Sequence, residues 1–276
     1  MGTGGDPDQR HHVKSVLMRE SLIDKDVVAS TETPVVRMLP EAHVLKIGAR
    51  SILDQGRAVT VPLVRMLGEI LEHKRLIIGT GGGVRSRHVM SIGLDLGLPT
   101  GVLAQLMAAD ALGNAHMLGT LLAPHGVVAI PPELFGHLLP LLIRAAPGVI
   151  WNGVPPYSLW EHPPSIGRIP PHRTDAGCFL LCETFGCKTL TLVKDVDGLY
   201  TRDPKTHASA SLIRDIGVRE LRQRALPTLP FDRVVIDLLE RARLVDRFQI
   251  MNGHRPDLLS AAVAGEHVGT IVHAEN

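Results

Sequence analysis

The apolar residues of this chain follow two alternating patterns, one typical of buried strands and the other typical of amphipathic helices. Short apolar runs predict strands at residues 43–47, 75–78, 126–130, 148–151, 189–194, 247–251 and 268–273. Apolar residues three or four apart predict helices at residues 52–73, 84–96, 101–122, 132–145, 175–185, 231–244 and 256–264. Because strands and helices alternate, the pattern predicts an α/β fold built from parallel βαβ units.

Two segments stand outside this alternation. Residues 1–33 are polar and lack a strong period, so we expect an N-terminal arm before a folded domain at residues 34–276. Residues 152–174 are proline-rich, and we expect them to form a long loop. The predicted helix at residues 101–122 is apolar on more than one side, which fits either packing against a sheet or a subunit interface.

Composition restricts the kinds of partner. The formal net charge is +1 and aromatic residues make up only 3%, which argues against a nucleic-acid partner. The sequence has no apolar run of membrane-spanning length and no signal-peptide core, so we expect a cytoplasmic protein without a membrane partner. The three cysteines, Cys178, Cys182 and Cys187, include no CxxC pair, and we expect them to be reduced and buried.

Glycine-bearing turns follow three of the predicted strands, at Lys46-Ile47-Gly48, at residues 79–83 (GTGGG) and at Asp195-Val196-Asp197-Gly198. Glycine lets backbone amides approach an anion closely, although a single such turn is equally explained by ordinary turn chemistry. Together with Lys46, the set predicts a polyphosphate site at the carboxyl edge of the sheet. The site matches neither the Walker A loop nor the GxGxxG dinucleotide loop, since Val84 occupies the last position of the latter.

Three parts of the sequence together resemble the amino acid kinase superfamily: these turns, the helix start at residues 174–177 (TDAG), and residues 194–205 (KDVDGLYTRDPK). Within it the uridylate kinases are the nearest enzymes. The residues are more similar still to the molybdenum storage proteins, and in particular to their beta subunits, through residues 85–88 (RSRH), 155–160 (PPYSLW) and 169–178 (IPPHRTDAGC). The resemblance extends from about Met38 to His273.

The resemblance implies a three-layer sandwich, in which helices cover both faces of a mostly parallel sheet of about eight strands. It also implies an ATP-binding subunit of a molybdate or tungstate storage cage that uses ATP and Mg²⁺ to load metal-oxide clusters. Such a cage is a hexamer, assembled with an alpha-like subunit or from copies of this chain. Two alternatives remain open, a small-molecule kinase acting on a UMP-like nucleoside monophosphate and a nucleotide-binding regulatory subunit without turnover.

Site residues follow from the same resemblance. Lys46 is expected to contact a terminal phosphate, and Asp175 to face the acceptor. The backbone amides of Gly48, Gly81, Gly82 and Gly83 are expected to contact phosphate oxygens. The nucleotide end is expected to comprise Lys194, Asp195, Asp197, Tyr200, Asp203 and Lys205. The simpler alternatives are a lysine at a strand end, turn chemistry for Asp197 and Asp203, and a helix cap for Asp175.

Some positions depart from the family pattern or extend it. Ala49 stands where the family has a second glycine, and the Ser-Gly-Glu of uridylate kinases is absent, which disfavours a UMP acceptor. Ser158 stands where the alpha subunits of the storage proteins have a histidine that faces the metal-oxide cavity, so no cluster ligand is expected there. Candidate metal or oxyanion contacts elsewhere are His116, His162 and the pair Glu133 and His137, although isolated histidines more often have no such role.

Overall fold

The predicted strands assemble into an eight-stranded sheet in the computed structural model, which describes residues 36–155 and 167–275. The expected arm at residues 1–33, Ser158 and His162 lie outside the described residues. The strands are β1 (Ala42–Ile47), β2 (Arg75–Thr80), β3 (Val127–Ala129), β4 (Gly148–Trp151), β5 (Thr189–Lys194), β6 (Leu199–Tyr200), β7 (Leu212–Ile213), β8 (Asp215–Gly217), β9 (Arg247–Asn252) and β10 (Thr270–His273). Strands β6 and β7 form a separate antiparallel hairpin.

The order of strands in the sheet is β3-β4-β2-β1-β5-β9-β10-β8. All neighbours pair in parallel except β9 and β10, which are antiparallel. The prediction of a mostly parallel sheet is therefore confirmed. Because β1, β2 and β5 are parallel neighbours, their carboxyl ends lie at one edge, with Lys46 opposite Gly79 on one side and Leu192 on the other.

Helices cover both faces of this sheet. They are α1 (Arg57–Leu71), α2 (Gly83–Asp95), α3 (Thr100–Leu122), α4 (Phe135–Ala145), α5 (Thr174–Phe185), α6 (Val218–Arg224), α7 (Val235–Arg241) and α8 (Leu259–Ala264). On one face, α1, α3 and α8 pack on strand residues such as Leu45 and Ile78. On the other face, α4 to α7 pack on residues such as Val44 and Ile77. The alternation of neighbouring strand residues between two apolar clusters confirms the three-layer arrangement.

Some predicted boundaries differ from those in the structure. The helix predicted from residue 52 begins at Arg57, because Gly56 has a φ of 73° and separates it from a short 3-10 turn at Leu53–Gln55. The helix predicted at residues 231–244 is limited to α7. The pattern missed β6, β7, β8 and α6, which are too short to show a clear period.

Two further expectations concern burial and membranes. All three cysteines are buried and unbridged, as expected from their spacing. Among the residues that the structure describes, no helix combines the length and apolar character needed to cross a bilayer.

Candidate functional site

A cavity of about 650 Å³ opens at the carboxyl edge of β1, β2 and β5. Lys46 lies near the end of β1, Lys194 ends β5, and the turn that contains Gly81 follows β2. Asp175, in the first turn of α5, also lines this cavity. The structure therefore brings together residues from the three glycine-bearing turns and the start of α5, as the sequence predicts for a site at the end of parallel strands.

Asp175 forms the centre of a buried charge cluster. Its Oδ1 lies 2.9 Å from Lys46 Nζ, and Lys194 Nζ donates to both of its carboxylate oxygens at 2.8 Å. The three residues are only 4 to 7% exposed, with Asp175 the most buried. Two ammonium groups thus share one carboxylate in a region largely removed from water, where their charge is poorly screened.

The pKa values reflect this sharing. Burial favours the neutral form of Asp175, but Lys194 and Lys46 outweigh burial and hold its pKa well below the usual range. Burial also lowers the pKa of Lys46, yet the attraction of Asp175 leaves that pKa above its ordinary value. For Lys194, burial prevails over Asp175, and the pKa falls to about 8. At neutral pH both ammonium groups and the carboxylate are charged.

The helix-cap alternative for Asp175 is wrong. Asp232 supplies the cap instead, since its Oδ2 accepts the N–H groups of Asp175 at 3.1 Å and Ala176 at 3.3 Å. Asp232 Oδ1 also accepts the Nε–H of Arg173 at 2.9 Å, while the Asp232 N–H donates to Asp175 Oδ2 at 3.1 Å. Sequence analysis missed Asp232 because it lies 57 residues beyond Asp175, with no local pattern that links the two.

The glycine turns differ in what they offer a ligand. A methyl group at Gly81 would lie 3.4 Å from Thr174 Oγ1 and 3.6 Å from Lys46 Nζ, so the backbone there forms the cavity wall beside the lysine. The Gly48 N–H is already committed to the sheet, because it donates to Val193 O at 3.0 Å. The expected contact between this amide and a phosphate is therefore not available in this arrangement.

Gly83 lines the cavity together with Gly48, Gly81 and Gly82, and it also leaves room for a carboxylate at the start of α2. Its φ is 70°, and the carboxylate of Asp54 occupies the space where a Cβ would lie. Asp54 Oδ2 accepts the N–H of Val84 at 2.8 Å. The amino end of α2 thus already has an anion, so the field of this helix is partly offset before any ligand binds.

Most residues predicted for the nucleotide end line the cavity. These are Lys194, Asp195, Tyr200, Asp203 and Lys205. Lys205 forms an ion pair with Asp195, and its N–H donates to Asp203 Oδ1 at 2.9 Å. Asp197 is not among the lining residues; it accepts a hydrogen bond from Asn252 at 2.9 Å and one from Tyr200 at 3.1 Å. The direct role predicted for Asp197 is therefore better described as support for Tyr200.

Arginines that the sequence analysis did not assign to the site also line the cavity, namely Arg50, Arg87, Arg173 and Arg202. Burial lowers the pKa of Arg87, and repulsion from Arg50 and Arg173 lowers it further. The buried hydroxyl of Ser86 has no hydrogen-bond partner within the described ranges and lines the same cavity. Clustered cations of this kind favour an anionic ligand. The segment RSRH had contributed only to the family resemblance.

The candidate metal residues lie elsewhere. His116, Glu133 and His137 are exposed and do not line the cavity. Glu133 lies in a 3-10 turn before α4, which separates it from the helix that carries His137. In the part of the chain that the structure describes, no three His, Cys, Asp or Glu side chains form a group suited to a metal. Their proposed metal role stays a prediction without a cluster to support it.

Comparison with known proteins agrees with this geometry. Residues 42–245 match the model of the amino acid kinase family. The chain is 46% identical to the molybdenum storage protein subunit beta of Azotobacter vinelandii over 95% of this chain and 97% of that protein. It is 28% identical to the uridylate kinase of Hyperthermus butylicus over 72% of this chain and 82% of that enzyme.

A solved structure supports the same fold. The uridylate kinase of Archaeoglobus fulgidus superposes with a TM-score of 0.64, over 83% of this chain and 99% of that chain. At 21% sequence identity this likeness shows the fold alone. The family model and the sequence relatives carry the assignment further, and they establish that this chain belongs to the amino acid kinase family.

Proposed function

We propose that this chain is an ATP-binding subunit of a molybdate or tungstate storage assembly, in which ATP and Mg²⁺ are used to load metal-oxide clusters. The observation that carries this proposal is the 46% identity to a molybdenum storage protein beta subunit over 97% of that protein. An identity that spans both chains nearly completely favours a shared role over a shared fold alone. Storage of molybdenum is therefore the function that we assign first.

The chemistry of the cavity supports nucleotide binding. Its volume, about 650 Å³, lies within the range of small-molecule sites. Lys46 and Lys194 place two ammonium groups where a polyphosphate would add the negative charge that balances them. When bound, Mg²⁺ neutralises phosphate charge, and it usually takes phosphate oxygens and waters with only one or two carboxylates. The absence of a three-ligand metal group among the described residues fits this mode of binding.

The protein groups act chiefly by electrostatics and positioning. Asp175 accepts hydrogen bonds from Lys194 and forms an ion pair with Lys46. The two lysines hold the pKa of Asp175 well below its usual range. A carboxylate with so low a pKa is a weak general base. We therefore assign Asp175 the task of fixing Lys46 and Lys194, and the lysines that of stabilising charge on the transferred phosphoryl group.

A nucleoside monophosphate kinase is the second candidate. It is favoured by the 28% identity to a uridylate kinase and by the arginines that line the cavity, since Arg87 and Arg173 suit a phosphate as well as a molybdate. It is disfavoured by the missing Ser-Gly-Glu after Lys46. Both candidates use the nucleotide half of the cavity and differ in the acceptor.

For the storage role we also propose assembly with an alpha-like subunit in a hexamer. The beta-subunit relative motivates this partner. Large apolar side chains are exposed on α2 (Ile92 at 47%), directly after it (Leu96 at 68%) and on α3 (Met117 at 49%). Exposed apolar side chains of this size are suited to a subunit contact. This favours the interface alternative for part of the apolar helix at residues 101–122.

The test is metal retention. The chain is purified alone and with its native partner, incubated with molybdate, ATP and Mg²⁺, and passed through a sizing column. Molybdenum that elutes with the protein and depends on ATP, measured by elemental analysis, supports storage. The same preparation is assayed for phosphorylation of UMP. Steady UMP phosphorylation without retained molybdenum or tungsten would favour the kinase, and ATP binding without turnover or retention would favour a regulatory subunit.

A further inference from the structure

Asp232 is a buried carboxylate that contacts several residues of the charge cluster. It is 4% exposed and ends the cavity-lining segment 228–232. Its carboxylate accepts hydrogen bonds from the backbone of Asp175 and Ala176 and from the side chain of Arg173. Arg173 also approaches Asp232 Oδ1 through its terminal nitrogen at 2.7 Å. One side chain thus contacts Arg173, the residue before α5, and the backbone of Asp175 and Ala176 in the first turn of that helix.

The contacts between Asp232 and Asp175 are reciprocal. Asp232 caps the helix that begins beside Asp175, and the Asp232 N–H donates to Asp175 Oδ2. That hydrogen bond fixes the carboxylate of Asp175 with Oδ1 toward both Lys46 and Lys194. Arg173 is the residue before α5 but provides no side-chain cap, so the helix depends on a cap from a distant segment.

The local charges make this arrangement specific. Burial and the neighbouring Asp175 raise the pKa of Asp232, while Arg173, Lys194 and Lys46 counteract them. Two carboxylates can remain this close only because cations flank them on both sides. The Arg173 side chain is 37% exposed, whereas that of Asp232 is only 5% exposed. Loss of the Asp232 charge would therefore release Arg173 from this ion pair.

We infer that Asp232 is a positioning residue for the phosphate chemistry proposed above: it orients Asp175, and through it Lys46 and Lys194, and it anchors Arg173 at the cavity. The test of this inference by phosphate release rests on the proposed function, whereas its test by hydrogen exchange does not. Asp232 is not expected to contact the reacting atoms, because its carboxylate oxygens are used by Arg173 and by the backbone of α5.

The test compares three variants of the full chain in its native assembly. Asp232→Ala removes cap and charge, Asp232→Asn keeps an oxygen acceptor but removes the charge, and Asp237→Asn alters an exposed carboxylate that pairs with Arg222. We expect Asp232→Ala to lower the rate of ATP-dependent phosphate release about 100-fold, as for other displaced catalytic groups, with little change in nucleotide affinity. Asp232→Asn should restore part of the rate, and Asp237→Asn should match the natural chain.

Coupling provides a second measurement if Asp232→Ala fails to fold. Arg173→Gln, Asp232→Asn and the double variant form a cycle, and we expect the double variant to be no slower than the slower single variant. Fully additive losses, or natural rates in Asp232→Asn and Asp232→Ala alike, would overturn the inference.

Failure of the proposed function has a different signature. If the natural chain neither binds ATP nor releases phosphate, the proposed function is wrong. Hydrogen exchange then tests separately whether Asp232 positions the start of α5. Exchange at the amides of Asp175 and Ala176 should be faster in Asp232→Asn or Asp232→Ala than in the natural chain, because their acceptor is weakened or lost. Unchanged protection in both variants would contradict the positioning role.

Discussion

The ammonium group of Lys194 lies 2.8 Å from both carboxylate oxygens of Asp175, in a region where neither side chain is more than 9% exposed. A buried ion pair seldom stabilises a fold more than apolar residues of the same volume would. Lys46 and Arg173 add further positive charge beside this pair, and Asp232 adds one carboxylate. The cluster therefore carries an excess of cations, which favours the binding of an anion.

Replacement of Lys46 should slow turnover strongly while the fold survives. In Lys46→Gln, Asp175 retains Lys194 as its partner, so the carboxylate is not left without a cation. We expect ATP-dependent phosphate release to fall on the order of 100-fold or more, since one charge that stabilises the transferred group is lost. Lys188→Gln is the matched control, because Lys188 is half exposed and lies 3.9 Å from Glu41, away from the cavity. Equal rates in the two variants would refute the role of Lys46.

Replacement of Asp175 should affect stability more than replacement of either lysine. Asp175→Asn leaves two buried ammonium groups without their shared anion, and we expect the free energy of unfolding to fall by about 3 kcal/mol. Denaturant unfolding measures this loss. Asp257→Asn breaks an exposed ion pair with Arg255 and should cost much less. Similar losses in both variants would show that the buried cluster contributes nothing special to stability.

Two neighbouring glycines should respond to alanine in opposite ways. At Gly81 a methyl group fits at ordinary contact distance but lies beside Lys46 Nζ, so Gly81→Ala should fold normally and bind nucleotide more weakly. At Gly83 the positive φ and the carboxylate of Asp54 both oppose a side chain. Gly83→Ala should lose about 1–3 kcal/mol of stability. Thermal unfolding and nucleotide titration of both variants separate the two effects, and the reverse pattern would contradict the geometry.

The stability of the fold should depend on pH through His43, which is buried at the opposite end of β1 from Lys46. Burial, and then the positive charges of Lys74 and Lys188, lower its pKa to about 4 from an ordinary 6.5. Between these two values the unfolded chain binds more protons than the folded one, so stability falls as the pH drops from 6.5 to 4.

The variant His43→Gln should lose this slope. We expect the natural chain to lose about 2 kcal/mol across that range from this residue, and the variant to lose correspondingly less. Urea unfolding at several pH values provides the measurement. His116→Gln, at an exposed helical position, serves as the control and should keep the natural slope. A slope that persists in His43→Gln would assign the effect to other groups.

The sequence was most informative where a residue's position depends on its own strand. Lys46 is the last but one residue of β1 and Lys194 is the last residue of β5, and parallel strands bring such ends to one edge. Partners set by distant contacts gave no such signal. The residues around Asp232 read as part of a helix from 231 to 244, whereas α7 begins only at Val235 and leaves Asp232 free to reach α5.

The spacing of apolar residues also could not predict the direction of a strand or the exposure of a side chain. Strand β10 has the same alternation whether it pairs parallel or antiparallel with β9, and the structure has it antiparallel. The histidine candidates had suitable chemistry, but His116 and His137 lie on exposed helix positions outside the cavity. Helix periodicity places side chains on one face without telling which neighbour covers that face.

The cap that Asp232 provides can form only after a later part of the chain has been synthesised. Lys46 and the residues of α5 leave the ribosome before Asp232, which follows Asp175 by 57 residues. Until that later segment is synthesised, neither the hydrogen bond from the Asp232 N–H to Asp175 nor the cap on α5 can form. A chain cut short before Asp232 would therefore carry Asp175 and both lysines and would lack the group that orients this carboxylate.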